Sequence, residues 1–421
     1  MKALWLRIAV VFLFCFASIS VSAKKLLIHM DEQQADHLRA YGLTYFALQK
    51  GIEVEWLLNY RGGSFLLDYY EFVEKQGNLL GVSLTAVSDA QLQQLREVIA
   101  NNNMNSVLLE KAPKIAVYAP PEIDPWDDAV ILIMTYAKIP YTRIWDKEVL
   151  SGRLSEYDWL HLHHEDFTGQ YGKFYRAFRN AAWYQKRVLR FRKAAAEAGF
   201  ATVAEHKGAV VSKLLRYVTD GGFLFAMCSA VDSLDIALAA EGVDIIEAEI
   251  DGTPIDSNYR AKLDFNRTFA FTNFVLKPNA LIYEFSNIDV SNYNNSEQSG
   301  KEDFVLFDFS AKYDPVPTML TQNHMRQIKG FFGQTTSFLN SVIKDEVIIM
   351  GRIKGEARSK YIHGNRGKGT FSFLGGHDPE DYSHLVGEEP TNLELHKQSP
   401  GYRLILNNIL FPAAKKYKQK T

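Results

Sequence analysis

The chain has 421 residues, 47 Lys and Arg against 49 Asp and Glu, and a formal charge of −2. That balance excludes a strongly basic nucleic-acid binder, and a hydrophobic share of 47% excludes a disordered chain. The length predicts two or three domains.

Lys2 and Arg7 precede an apolar run over 8–16, and Val21-Ser22-Ala23 offers a cleavage site before Lys24. Residues 1–23 therefore read as a secretory signal peptide. The run is shorter than the roughly 20 residues of a membrane span, and no later stretch is apolar enough. An exported, periplasmic protein without a membrane span is expected, with Cys15 lost in the leader and Cys228 as the remaining thiol. No intramolecular disulfide is then available. Loss of Lys2 and Arg7 lowers the charge from −2 to −4.

Residues 25–29 read as a strand, followed by a helix with Leu38, Tyr41, Tyr45 and Leu48 on one face. Gly51 stops it, and 52–58 reads as a second strand. This β-α-β pattern predicts a parallel sheet in an amino-terminal α/β unit over 24–112. Within it, Ser88 and Gln91 form a capping-box pattern opening a helix to Ala100. His29, Asp31, Asp36 and His37 fit no standard metal spacing. Arg61, beside Gly62 and Gly63, reads as a solvated turn residue rather than an anion ligand.

A second domain is expected over 113–421. It begins with a strand at 114–118 and a helix capped at Asp124-Pro125 and ending near Lys138. Strands at 141–145 and 159–163 follow, then helices at 172–199 and 206–219. The apolar run ending at Met227 reads as a buried strand that delivers Cys228 to a corner, with a helix from Ala230 to about Ala240. A β-rich insertion is expected at about 244–317, with a hairpin at Asp251-Gly252 and strands at 269–275, 280–285 and 304–309. A helix near 324–342 and strands at 346–350 and 369–374 complete the chain. Strands nearly continuous in apolar residues, alternating with helices, predict a doubly wound, mostly parallel α/β sheet.

A thiol at a strand–helix corner is one way to present a nucleophile, although free cysteine is also a common core residue. Gly375-Gly376-His377-Asp378-Pro379-Glu380 follows the strand at 369–374, where open α/β sheets collect ligands. There His377 would serve as base for Cys228, with Glu380 or Asp378 holding its tautomer. In a strand, His161 and His163 share a face and are the weak candidates for a metal, while His164 would face the other way. No metal or other cofactor is expected. His164 and Glu165 would border the Cys228 pocket and contact substrate.

Together the Cys228 corner and the His377 segment resemble class I glutamine amidotransferase-like domains, a superfamily that includes ThuA-like and DJ-1-like proteins. Its nucleophile corner reads Gly-x-Cys-x-Gly, and a later His-x-Glu completes the triad. This chain has Ala226-Met227-Cys228-Ser229-Ala230, and its acid stands one position late, at Glu380. The resemblance covers roughly 113–412. It implies an oxyanion site at the Ser229 N–H, with a second donor near Pro120-Pro121 or Glu165. It also implies cysteine-dependent amide hydrolysis or acyl transfer. The alternative is a non-catalytic envelope binding protein with a small-molecule or glycan ligand, as ThuA-like relatives suggest. The whole chain is also similar to exported bacterial proteins labelled asparagine synthetase B. The ATP-binding Ser-Gly-Gly-x-Asp-Ser loop of true synthetases is missing, so ATP-dependent asparagine synthesis is not expected.

Overall fold

The computed structural model describes residues 25–122, 125–289, 302–314, 318, 325–383 and 385–414. The leader, Cys15, Asp124 and His324 lie outside them. The amino-terminal unit runs β1 (Lys25–Ile28), α1 (His37–Gln49), β2 (Val54–Leu58), β3 (Phe65–Asp68), α2 (Glu71–Leu80), β4 (Leu84–Val87), α3 (Asp89–Asn101) and β5 (Asn105–Leu109). Its sheet has the order β4-β1-β3-β2-β5 with every pairing antiparallel. The parallel sheet expected here is therefore corrected, because β3 inserts between β1 and β2. The chain reverses into β3 through Gly62 and Gly63, at φ 73° and 90°. A Cβ at Gly62 would lie 2.3 Å from the Met30 carbonyl oxygen, so the turn demands glycine. Ser88 and Gln91 form the capping box that opens α3. Arg61 lies in a turn, partly exposed, and is bonded to Asp31 and Gln33, each at 2.6 Å, which leaves it less open to an anion.

The second unit begins with β6 (Ile115–Tyr118), α4 (Ala129–Tyr136), β7 (Thr142–Ile144), α5 (Asp146–Leu150) and β8 (Trp159–Leu162). A short helix α6 (Tyr175–Phe178) leads to α7 (Ala182–Glu197), α8 (Val203–Asp220), β9 (Phe223–Met227) and α9 (Ala230–Ala239). The later strands are β10 (Phe304–Leu306), β11 (Gln327–Ile328), β12 (Phe338–Leu339), β13 (Ile348–Ile353), β14 (Arg358–Arg366) and β15 (Gly369–Leu374). They form one sheet of order β11-β10-β13-β14-β15-β9-β8-β6-β7, with β12 paired to β14. From β15 to β7 the pairings are parallel; from β11 to β15 they are antiparallel. The architecture is mixed α/β, and the expectation of a mostly parallel sheet gives way to one that is half antiparallel.

Four sequence expectations change for physical reasons. The helix after β6 starts at Ala129, because Asp128 accepts the N–H groups of Val130 and Ile131 at 2.8 and 3.0 Å. Asp251-Gly252 makes no hairpin: Gly252, at φ 90°, ends the helical turn Ala248–Asp251. Neither 269–275 nor 280–285 is a strand: the buried Asp235 carboxylate takes the N–H groups of Phe269, Ala270 and Phe271 at 2.7, 2.8 and 2.9 Å, and Glu247 and Asn279 side chains take those of Ala280 and Leu281, both at 2.8 Å. Those donors are then satisfied without a ladder. Finally, 325–342 holds β11, an irregular segment and β12 instead of a helix. There Gly333 touches the Gly376–His377 backbone, a contact that a helix would block.

A later helix, Pro400–Leu410, is buried along its length. It packs on α1, where the Tyr41 hydroxyl donates to Asn407 Oδ1 at 2.6 Å, so one apolar core serves both sheets. Among the described residues no helix is long and apolar enough to cross a membrane.

Candidate active site at the carboxyl rim of the parallel strands

Strands β8, β9 and β15 lie side by side and parallel, so the residues after each one gather at the same edge. Cys228 follows β9 and holds φ 51°, a left-handed backbone that costs a non-glycine residue about 1–2 kcal/mol. This corner turns the chain from β9 into α9 with no intervening loop. Two bonds fix it: the Cys228 N–H donates to the Gly376 carbonyl at 3.2 Å, and the Ala230 N–H to the His163 carbonyl at 3.0 Å. The cysteine corner, the end of β8 and the segment after β15 are thus joined through backbone.

The sulfur itself is buried; Cys228 is 3% exposed. Its Sγ accepts the Gln334 N–H at 3.3 Å. Burial pushes the thiol up to about 11, against the lowering effect of the Gln334, Ser229 and Thr335 N–H groups. Ser229 therefore stands beside the sulfur as expected, but the other donors come from the segment before β12. Pro120-Pro121 and Glu165 supply none of them. The Glu165 carboxylate instead faces Lys207, 3.4 Å away, within a buried group that includes Asp146 and Tyr118.

His377 reaches the rim because Gly376 adopts φ 92°. The Gly376 and His377 N–H groups donate to the Thr335 and Phe332 carbonyls, both at 2.8 Å. The imidazole is fully buried, with Nε2 3.2 Å from Asp127 Oδ1. The carboxylate beside it is therefore Asp127 and not Asp378 or Glu380. Asp378 accepts the Tyr402 hydroxyl at 2.6 Å, while Glu380 accepts that of Tyr382 at 2.9 Å and pairs with His396 at 3.1 Å. Both are committed to local partners, and Asp378 ties the loop to the helix Pro400–Leu410 through Tyr402.

The histidine cluster is larger than its sequence pattern suggested. His161 sits inside β8, its ring packed beside both Trp159 and Phe225 and its Nε2 3.3 Å from Asp128. His163 Nδ1 lies 3.2 Å from the same carboxylate oxygen. Burial alone would raise the Asp128 carboxyl, but these two imidazoles hold it well below the ordinary range. Strand alternation would send His164 away; β8 ends at Leu162, however, so the rule lapses there. The His164 ring stacks on His163 at 4.0 Å and approaches His377 at 4.7 Å, and its Nε2 is 2.6 Å from the Asp127 carbonyl oxygen. Asp127 and Asp128 were missed as site residues, although an acidic pair before the apolar run 129–134 is an N-cap signal. Gln334 and Thr335 carried no signal.

No family model and no curated protein matches the chain. Among solved structures, cytoplasmic protein STM1381 of Salmonella typhimurium LT2 is 11% identical with a TM-score of 0.36. Cytoplasmic protein STM3548 of Salmonella typhimurium is 11% identical with a TM-score of 0.32. Each alignment covers 72% of this chain and 100% of the other. Likeness at this level carries no argument about the site. Both are named as cytoplasmic proteins, contrary to the exported, periplasmic location expected from the leader, and that location is withdrawn.

Proposed function

We propose that the chain is a class I glutamine amidotransferase-like protein whose rim site hydrolyses or transfers an acyl group, with Cys228 as nucleophile and His377 as proton acceptor. One observation supports this above the others: Cys228 holds a left-handed backbone at a strand–helix corner while backbone N–H groups converge on its sulfur. Strained non-glycine corners of this kind present nucleophiles. The same donors face an oxyanion formed beside Sγ.

A thiol pushed up to about 11 stays protonated at neutral pH, so serine-like chemistry fits better than attack by a standing thiolate. As the S–C bond forms, the thiol proton passes to His377, whose ring Asp127 orients. The imidazolium returns that proton to the departing amine or alcohol as its C–N or C–O bond breaks. Water then cleaves the thioester. The substrate class is a small carboxamide or ester. Incubating the full chain with p-nitrophenyl acetate and mapping adducts by mass spectrometry tests this. An acetyl group is expected on Cys228, formed more slowly on Cys228→Ser, and absent from that position in Cys228→Ala. Wild-type protein without an adduct refutes the reading.

The burial of Cys228 favours a second reading, a binding protein that keeps the corner without the reaction and takes a small-molecule or glycan ligand. In that case Cys228→Ala retains every ligand-induced thermal shift of the wild type.

A further inference from the structure

We propose that His163, His164 and His377 form a binding site for one divalent transition-metal ion, zinc foremost, with a fourth coordination position open. This goes beyond the cysteine reading and stands on separate observations. Each of the three residues offers a ligand atom, and these atoms all lie within 4.8 Å of one another. Tetrahedral zinc holds imidazole nitrogens at about 2.0–2.1 Å, so they sit roughly 3.4 Å apart. Modest ring rotations close that difference.

The second shell is already built. An oxygen faces one nitrogen of every ring: Asp128 Oδ1 at His163 Nδ1 (3.2 Å), the Asp127 carbonyl at His164 Nε2 (2.6 Å) and Asp127 Oδ1 at His377 Nε2 (3.2 Å). Metal-ligating histidines are oriented in this way, which sets the opposite nitrogen toward the ion. Both His163 nitrogens are buried without an aligned hydrogen bond, Nδ1 having only its 3.2 Å ion-pair contact with Asp128, which leaves Nε2 to face the ion, and such an atom calls for a ligand. Asp127 and Asp128 supply the negative charge a buried dication needs. Three neutral imidazoles without a thiolate favour zinc, copper or nickel over magnesium or calcium. With the ion bound, His377 would be a ligand and its metal-facing nitrogen would no longer be available to accept a proton.

Isothermal titration of the full chain with zinc chloride, after chelator treatment and dialysis, tests the site. One ion per chain is expected, with His164→Ala and His377→Ala each weakening binding at least about 100-fold. His396→Ala, a partly exposed control outside the cluster, should bind as wild type. Cobalt substitution should give the visible bands of a four-coordinate site, lost in His164→Ala, and circular dichroism checks that each variant is folded. Absence of stoichiometric binding overturns the proposal, as does binding that both variants retain. Cys228→Ser separates the two readings. Unchanged zinc affinity leaves the ion standing whatever becomes of the thiol chemistry, whereas its loss makes sulfur a ligand and overturns the three-histidine site.

Discussion

Gly333→Ala tests whether the rim depends on backbone-to-backbone contact between two loops. A Cβ at Gly333 would lie 2.6 Å from Gly376 C, 2.6 Å from His377 N and 2.8 Å from Gly376 Cα. All three are backbone atoms, so no side chain can rotate aside. The His377 and Gly376 N–H groups are bonded across the same gap at 2.8 Å, and Cys228 hangs from the Gly376 carbonyl at 3.2 Å. Relief must separate the loops. Overpacking of this kind costs about 1–3 kcal/mol, and each weakened backbone hydrogen bond adds about 1 kcal/mol. The expected destabilisation is about 2–5 kcal/mol in urea unfolding followed by circular dichroism. Native-state labelling of Cys228 by a thiol reagent should also quicken, because separating the loops opens access to a sulfur that is otherwise buried. A stability within about 0.5 kcal/mol of wild type, with unchanged labelling, would refute the packing argument.

Gly208 lies within α8 with nothing near its missing Cβ, so Gly208→Ala should stabilise by about 0.5–1 kcal/mol in the same assay; destabilisation would contradict the open geometry. Lys207 is fully buried between Asp146 (3.0 Å) and Glu165 (3.4 Å). Lys207→Ala strands two carboxylates and should cost about 3–5 kcal/mol, whereas a loss below about 1 kcal/mol would mean that water already reaches them. Burial pushes the His363 imidazole down to about 4, from an ordinary value near 6.5. Between those values the unfolded chain binds a proton that the folded chain refuses. The contribution is therefore intact above about pH 6.5 and is lost as pH falls towards 4, about 3 kcal/mol in all. His363→Gln should flatten the decline of the urea midpoint between about pH 7 and 4.5; an equally steep decline would show that other groups carry it.

The parts of the site that could be read from sequence were those built by local pattern. An apolar run ending in Cys228, and a Phe- and Leu-bearing one ending in Gly375-Gly376-His377, form adjacent parallel strands. Their joining at one rim followed from that pairing. The parts that could not be read depend on partners far along the chain. Asp127 meets His377 across 250 residues, and the Gln334 N–H reaches Sγ from a segment whose length suggested a helix. Strand alternation sends His164 to the wrong face because it is carried two residues past the end of β8. In the amino-terminal unit, the short strand Phe65–Asp68 went unrecognised, and its insertion made an antiparallel sheet of an expected parallel one.

The most direct test of the proposed chemistry is the pH dependence of Cys228 acylation by p-nitrophenyl acetate, followed as adduct formation by mass spectrometry. Attack by a neutral thiol with an imidazole base predicts a rate that levels off well below the thiol's own value of about 11 and that depends on His377; His377→Ala should lose the plateau. A rate that climbs without a plateau towards pH 11, or acylation indifferent to His377, would contradict it.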